Sequence, residues 1–150
     1  PLFRLIGIGA IVLFLSSSVK HALFQSNAWD LGIFDQAVYL ISQGKPAISS
    51  FLEFHILADH AAIVLYPLAL LYRIYPDVHW LLAVQAIALS LACLPTYNLS
   101  RQSGLSERYS LVLAATYLLY PLVFNLSMAD FHPEVFAIPF ILQSVYAARS

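Results

Sequence analysis

Two stretches of this chain, residues 80–99 and 109–129, each run for about twenty residues without a full charge. At about 1.5 Å of rise per residue, a helix of that length covers the hydrocarbon thickness of a bilayer. No water is present there to satisfy backbone N–H and C=O groups, so the chain must satisfy them within each helix. Composition agrees with this constraint. Hydrophobic residues make up 61% of the chain and charged residues 10%, with mean hydropathy +0.78, whereas a soluble domain carries about 25% charge. The expected fold is an all-α, polytopic transmembrane helical bundle. A net charge of -1 gives no basic footprint for nucleic acid. Cys93 stands alone in an apolar run, so there is no disulfide framework and the residue reads as packing.

Apolar runs occupy residues 5–19, 56–75, 80–99, 109–129 and 135–148. Spans are expected at about 3–19, 80–99, 109–129 and 135–148, all within a single transmembrane domain over 1–150. The chain opens at Pro1 without a Met and its last run stops short of a full span. It is therefore expected to be the N-terminal piece of a longer polytopic protein. Arg4 before the first run and Ser16, Ser17 and Ser18 near its end resemble a signal peptide. Because further spans follow, an uncleaved first helix is expected instead. Residues 31–43 read as a helix capped by Asp30 and ending near Gly44, with Leu31, Phe34, Val38 and Ile41 on one face. Its length, about 20 Å, is too short to cross. An interfacial helix is expected.

The run at 56–75 sets the topology. If it crosses, Arg4 and Arg73 lie inside while Lys20, Lys45, Arg101, Arg108 and Arg149 lie outside, against the positive-inside rule. If it enters and returns, or lies in the interface, Arg4, Arg101, Arg108 and Arg149 are inside and every acid but Glu107 is outside. Pro67 and the early Asp59-His60 pair also suit a broken helix. The second threading is favoured: a multi-pass cell-membrane protein with a cytoplasmic N-terminus and a long first external loop.

Carboxylates and imidazoles beside hydrocarbon are expensive and usually mark a site. Three clusters stand out. Asp30 and Asp35 lie on the interfacial helix, where Asp30 serves as a cap or, just above the membrane, as a base or metal ligand. His55 and Asp59, at i and i+4, share a face if that segment is helical, a workable metal-ligand spacing, and His60 follows. Asp130-Phe131-His132-Pro133-Glu134 places three ionisable groups within five residues between apolar runs. Catalytic candidates are Asp30, Asp59, His60 and Asp130. Asp35, Gln36, Lys45, Arg73, His132 and Glu134 are substrate-binding candidates, and His55, Asp59 and His132 are metal-ligand candidates, for Mg²⁺, Mn²⁺ or Zn²⁺. The chain contains no H-E-x-x-H, phosphate loop, G-x-S-x-G or Cys-His metal pattern.

The strings Asp30-Leu31-Gly32-Ile33-Phe34-Asp35-Gln36, Ala58-Asp59-His60 and residues 130–134, in that order, resemble the polytopic membrane family known as domain of unknown function 2079 (DUF2079). That family distantly resembles the GT-C fold membrane glycosyltransferases, such as the protein mannosyltransferases. The second resemblance implies a polyprenyl-phosphate-linked sugar donor, an acceptor on the external face, and Asp30 in the place of the first-loop acid. Leu31 follows Asp30 where many of those enzymes carry Glu. On this reading Asp30 or Asp59 deprotonates the acceptor, while His60, His132, Lys45 or Arg73 and a divalent cation face the leaving phosphate. The alternative is a transporter or channel subunit whose acid and His groups relay protons or bind a cation. The charge-free middles of the two long runs lean against it.

Overall fold

The computed structural model describes residues 1–59 and 61–149. Helix α1, Leu2–Ala22, is long enough to cross a bilayer, and only 17% of its most apolar window is buried. Phe3, Ile8, Ile11, Leu15 and Val19 point outward, as side chains facing lipid would. Its last turn carries Lys20 and His21 at the negative end of the helix dipole.

The central element is the 24-residue helix His79–Gln102. It consists of α4, His79–Leu91, and α5, Cys93–Gln102. Pro95 removes the N–H that would reach the carbonyl of Leu91, which accounts for the irregularity between the two. The hydroxyl of Thr96 donates to the carbonyl of Ala92 at 2.8 Å and keeps that turn bonded. Gly104, at φ +87°, ends α5 by letting the Leu105 N–H reach back to the Ser100 carbonyl. The chain then returns as α6, Glu107–Leu118, and α7, Pro121–Met128, bent by 40° where they meet. Tyr120 precedes Pro121, which forces it out of the helical region. The long helices α1 and α4–α5, with the bent pair, give two to three crossings by length and composition.

The remaining elements are short. A π-helical turn, Ala28–Gly32, leads into α2, Ile33–Ser42, which Gly44 terminates at φ +69°. Asn27, not the expected Asp30, caps this segment, its side-chain oxygen accepting the Trp29 N–H at 2.9 Å. Asn and Asp cap about equally well, and the turn begins one position after Asn27. Within 56–75 the chain makes a single 3-10 turn, Ile56–Ala58, then α3, Leu65–Ile74. Ten helical residues reach about 15 Å, half a bilayer. Leu65, Leu68, Ala69 and Tyr72 of α3 bury the apolar face of α2 in one core with Phe131. A 3-10 turn, Pro133–Phe136, opens α8, Ala137–Ala148, none of whose residues is buried. No strand forms among the described residues.

Contacts between chain-distant residues fix which ends meet. Gln85 of α4 donates to Leu126 of α7, and Ser127 of α7 donates to Leu13 of α1. Lys20 in the last turn of α1 reaches the Met128 carbonyl at the end of α7, and His21 meets His79 at the start of α4, so these three helix ends lie together. That common end is the polar end.

Close packing between α1 and α6 runs through Gly9, where an added Cβ would lie 2.8 Å from a terminal methyl of Leu118. That methyl can swing away, and alanine favours helix over glycine by about 1 kcal/mol. Gly9→Ala is accordingly expected to leave the thermal midpoint of the detergent-solubilised protein nearly unchanged. Gly9→Phe is expected to destabilise it by about 1–3 kcal/mol through overpacking.

Candidate functional site

The polar end is organised around Asp130. The residue sits at φ +68°, a left-handed conformation that Asp tolerates better than most side chains. This turn lets α7 stop while its next residues fold back over α4. Asp130 is 4% exposed, and both carboxylate oxygens are engaged. Oδ1 accepts from Lys20 Nζ at 2.7 Å, and Oδ2 accepts from the Asn27 N–H at 2.7 Å. Lys20 Nζ also donates to the Met128 carbonyl at 2.8 Å. Beneath them Gln85, which is buried, donates through Nε2 to the Asp130 carbonyl and accepts the His132 N–H on Oε1 at 2.7 Å. One side chain thus satisfies both backbone groups that flank Phe131.

Beside this knot opens a hollow of about 340 Å³, lined by His21, Ser26, Asn27, Leu31, Asp35 and Val78 among others. Asp35 Oδ1 accepts from the Tyr72 hydroxyl at 2.6 Å. Burial, and then the bond to Asp35, push the Tyr72 phenol well above its ordinary range. Tyr72 therefore stays a neutral donor and holds the Asp35 carboxylate in place. Asp30, on the same π-helical turn as Leu31, is partly buried, and no side-chain partner is recorded for it among the described residues.

A second hollow, about 290 Å³, runs between α1 and α4 and is lined by Phe14, Tyr75, Asp77, His79, Trp80 and Ala83. At its rim Asp77 Oδ1 meets His79 Nδ1 at 2.6 Å and accepts the His79 backbone N–H at 2.8 Å. The backbone bond is the largest influence holding the Asp77 carboxyl below its ordinary value, and the imidazole adds to it. His79 packs edge-on against His21, with ring centroids 5.6 Å apart, and His21 Nδ1 bonds the Ser26 hydroxyl at 3.1 Å. The two imidazoles join the two hollows.

Several expected site residues take other roles. Asp130 is not an available base, because its oxygens are committed to Lys20 and Asn27. Gln36 does not face a substrate; its amide oxygen accepts from the Ser49 hydroxyl and from the Ser50 N–H and hydroxyl, tying the following loop to α2. His55 and Asp59 do not share a helix face, because His55 is extended and caps the 3-10 turn by accepting the Leu57 N–H. His55, Asp59 and His132 form no metal-binding group, nor do any three His, Cys, Asp or Glu side chains among the described residues.

Asp59 is exposed, and Lys45 is exposed just beyond α2. His60 lies outside the described residues. Arg73 donates through Nε to the Ser42 carbonyl at the end of α2. His132 keeps a buried Nδ1 with no partner among the described residues. Glu134 lines a separate hollow of about 260 Å³ with residues 61–64 and Pro133. Sequence reasoning missed Lys20, His21, Tyr72, Gln85 and His79. Gln85 carried a readable signal, being a polar side chain in the interior of an otherwise apolar span.

Lys20→Met leaves the Asp130 carboxylate buried and unpaired, and is expected to destabilise the protein by about 3–5 kcal/mol. The double variant Lys20→Met with Asp130→Asn should lose less than the single one, read by thermal unfolding in detergent. Asp77 contributes stability above its ordinary value of 3.8 that is lost as pH falls below it. Asp77→Asn is expected to flatten that acid limb of the unfolding curve.

No curated protein and no solved structure matches the chain. Residues 20–150, which contain Lys20, the hollow beside Asp35 and the Asp130 knot, match the family described as Predicted membrane protein (DUF2079). With membrane-length helices joined at one polar end and a family match over most of its length, the chain belongs to the Predicted membrane protein (DUF2079) family.

Proposed function

We propose that the polar end is the donor side of a membrane glycosyltransferase that takes a sugar from a polyprenyl-phosphate carrier. One observation carries the reading. The end of α1, the π-helical turn and α2, and the link before α4 together bring His21, Ser26, Asn27 and Asp35 around one open hollow where long apolar helices end. A lipid-linked sugar presents its reacting carbon at that depth.

Asp35 is the base in this proposal. Its Oδ1 is held by Tyr72, and its Oδ2 is turned to the acceptor. The acceptor O–H bond breaks with its proton passing to Asp35, and the acceptor oxygen forms a bond to the anomeric carbon. The bond from that carbon to the carrier phosphate breaks, and the phosphate leaves with the electron pair. The proton passes to the carboxylate as the new bond forms. Asp30 lies in the preceding π-helical turn, next to Leu31 of the lining. The polar end faces outward and the turn at Glu107 faces the cytoplasm, with the N-terminus inside. The four arginines Arg4, Arg101, Arg108 and Arg149 on the inner side, against Lys20, Lys45 and Arg73 on the outer, support this orientation.

Asp35→Asn is expected to lower turnover of labelled polyprenyl-phosphate sugars by at least about 100-fold, the usual weight of a general base. Wild-type turnover in that variant would reject the assignment. Cysteines introduced at positions 30 and 59 should react with an impermeant reagent added outside intact cells, and one at 107 should not. The reverse pattern would overturn the orientation.

A further inference from the structure

We infer that His21 and His79 grip the phosphate of a lipid monophosphate whose chain lies in the groove between α1 and α4. This inference rests on the transferase reading for its placement and deepens it by naming the group that holds the leaving phosphate.

Three observations carry it. Each imidazole has its Nδ1 fixed locally, His21 by the Ser26 hydroxyl and His79 by Asp77. No hydrogen bond to either Nε2 is recorded among the described residues, so each ring is oriented and keeps one nitrogen for a ligand. The rings come from different helices and meet edge to face, with centroids 5.6 Å apart; a ligand phosphate is met by His21 and by His79 as the imidazolium, whose Nδ1–H stays on Asp77. His21 lines the hollow that holds Asp35, and His79 lines the groove.

The groove itself is amphipathic along the membrane normal. Its rim is Asp77 and His79, its wall the aromatic rings of Tyr75 and Trp80, and its floor Phe14 and Ala83. Phe14 lies seven residues before His21 on α1, about 10 Å deeper. A ligand filling it carries a polar head at the histidines and an apolar chain below. Aromatic side chains at that level are the usual boundary between headgroup and hydrocarbon. The Asp77 charge is balanced by the imidazolium of His79, bonded to it at 2.6 Å. Lys20, the nearest lysine in sequence, is held by Asp130 and is not available for this work.

The test is binding of farnesyl phosphate, without any sugar, to the purified protein in lipid nanodiscs, with farnesol and inorganic phosphate as controls. Farnesyl phosphate is expected to bind at least about tenfold more tightly than either control, the weight of a charge-assisted contact. His21→Gln and His79→Gln should each remove most of that advantage while leaving farnesol binding unchanged. Ala83→Trp, which fills the floor of the groove, should weaken farnesyl phosphate and farnesol together. Equal binding of farnesol, equal binding of inorganic phosphate, or wild-type affinity in both histidine variants would overturn the inference, as would wild-type affinity in Ala83→Trp. A protein that binds farnesyl phosphate as described yet turns over no sugar donor rejects the transferase reading alone.

Discussion

Lys20 and Asp130 are far apart in sequence, lie at the ends of different helices, and meet at 2.7 Å in a nearly dry setting. An ion pair so placed costs desolvation on both partners, which further hydrogen bonds on each of them offset. Lys20 takes the Met128 carbonyl, Asp130 takes the Asn27 N–H, and Gln85 closes the backbone beneath. The pair therefore does more than join two helices. It draws the segment after α1 against the end of α7, which sets where the π-helical turn begins and hence where Asp35 stands. The hollow beside it is a by-product of that closure.

The polar end has two kinds of charged group, and burial separates them. Asp130 is sealed and acts on structure. Asp35, Asp77 and the two imidazoles border open hollows, each with one side fixed and another left to face a ligand. Tyr72 shows how the fixing works: a phenol kept neutral by burial donates its only O–H to Asp35. The apolar bulk of α3 over α2 supplies that burial, so a short helix with no chemistry of its own determines how a carboxylate is presented.

The helical, membrane-embedded class was legible because charge-free runs near bilayer length permit few other solutions. The end of α2 at Gly44 was equally plain, as the residue adopts the positive φ that a helix stop requires. The start of α2 was not legible, because Asn27 and Asp30 offer equivalent caps and only the tertiary bond from the Asn27 backbone to Asp130 distinguishes them. The partners of Asp130 were hidden for a related reason. The string at 130–134 looked chemical because three ionisable groups crowd together, but adjacency in sequence did not reveal that Lys20 reaches Asp130 first. His21 and His79 went unnoticed because each is a single histidine at a helix end, and the pairing that makes them interesting exists only after α1 and α4 pack. The metal-ligand spacing at His55 failed because it presumed a helix where the chain is extended.

The left-handed backbone at Asp130 narrows what evolution can place there. Glycine would accept the torsion and abandon the lysine; glutamate would keep the charge but add a methylene where the pocket leaves no slack. Asparagine would preserve shape and sacrifice the countercharge. Position 130 answers a conformational demand and an ionic one simultaneously, and aspartate is the smallest side chain that meets both.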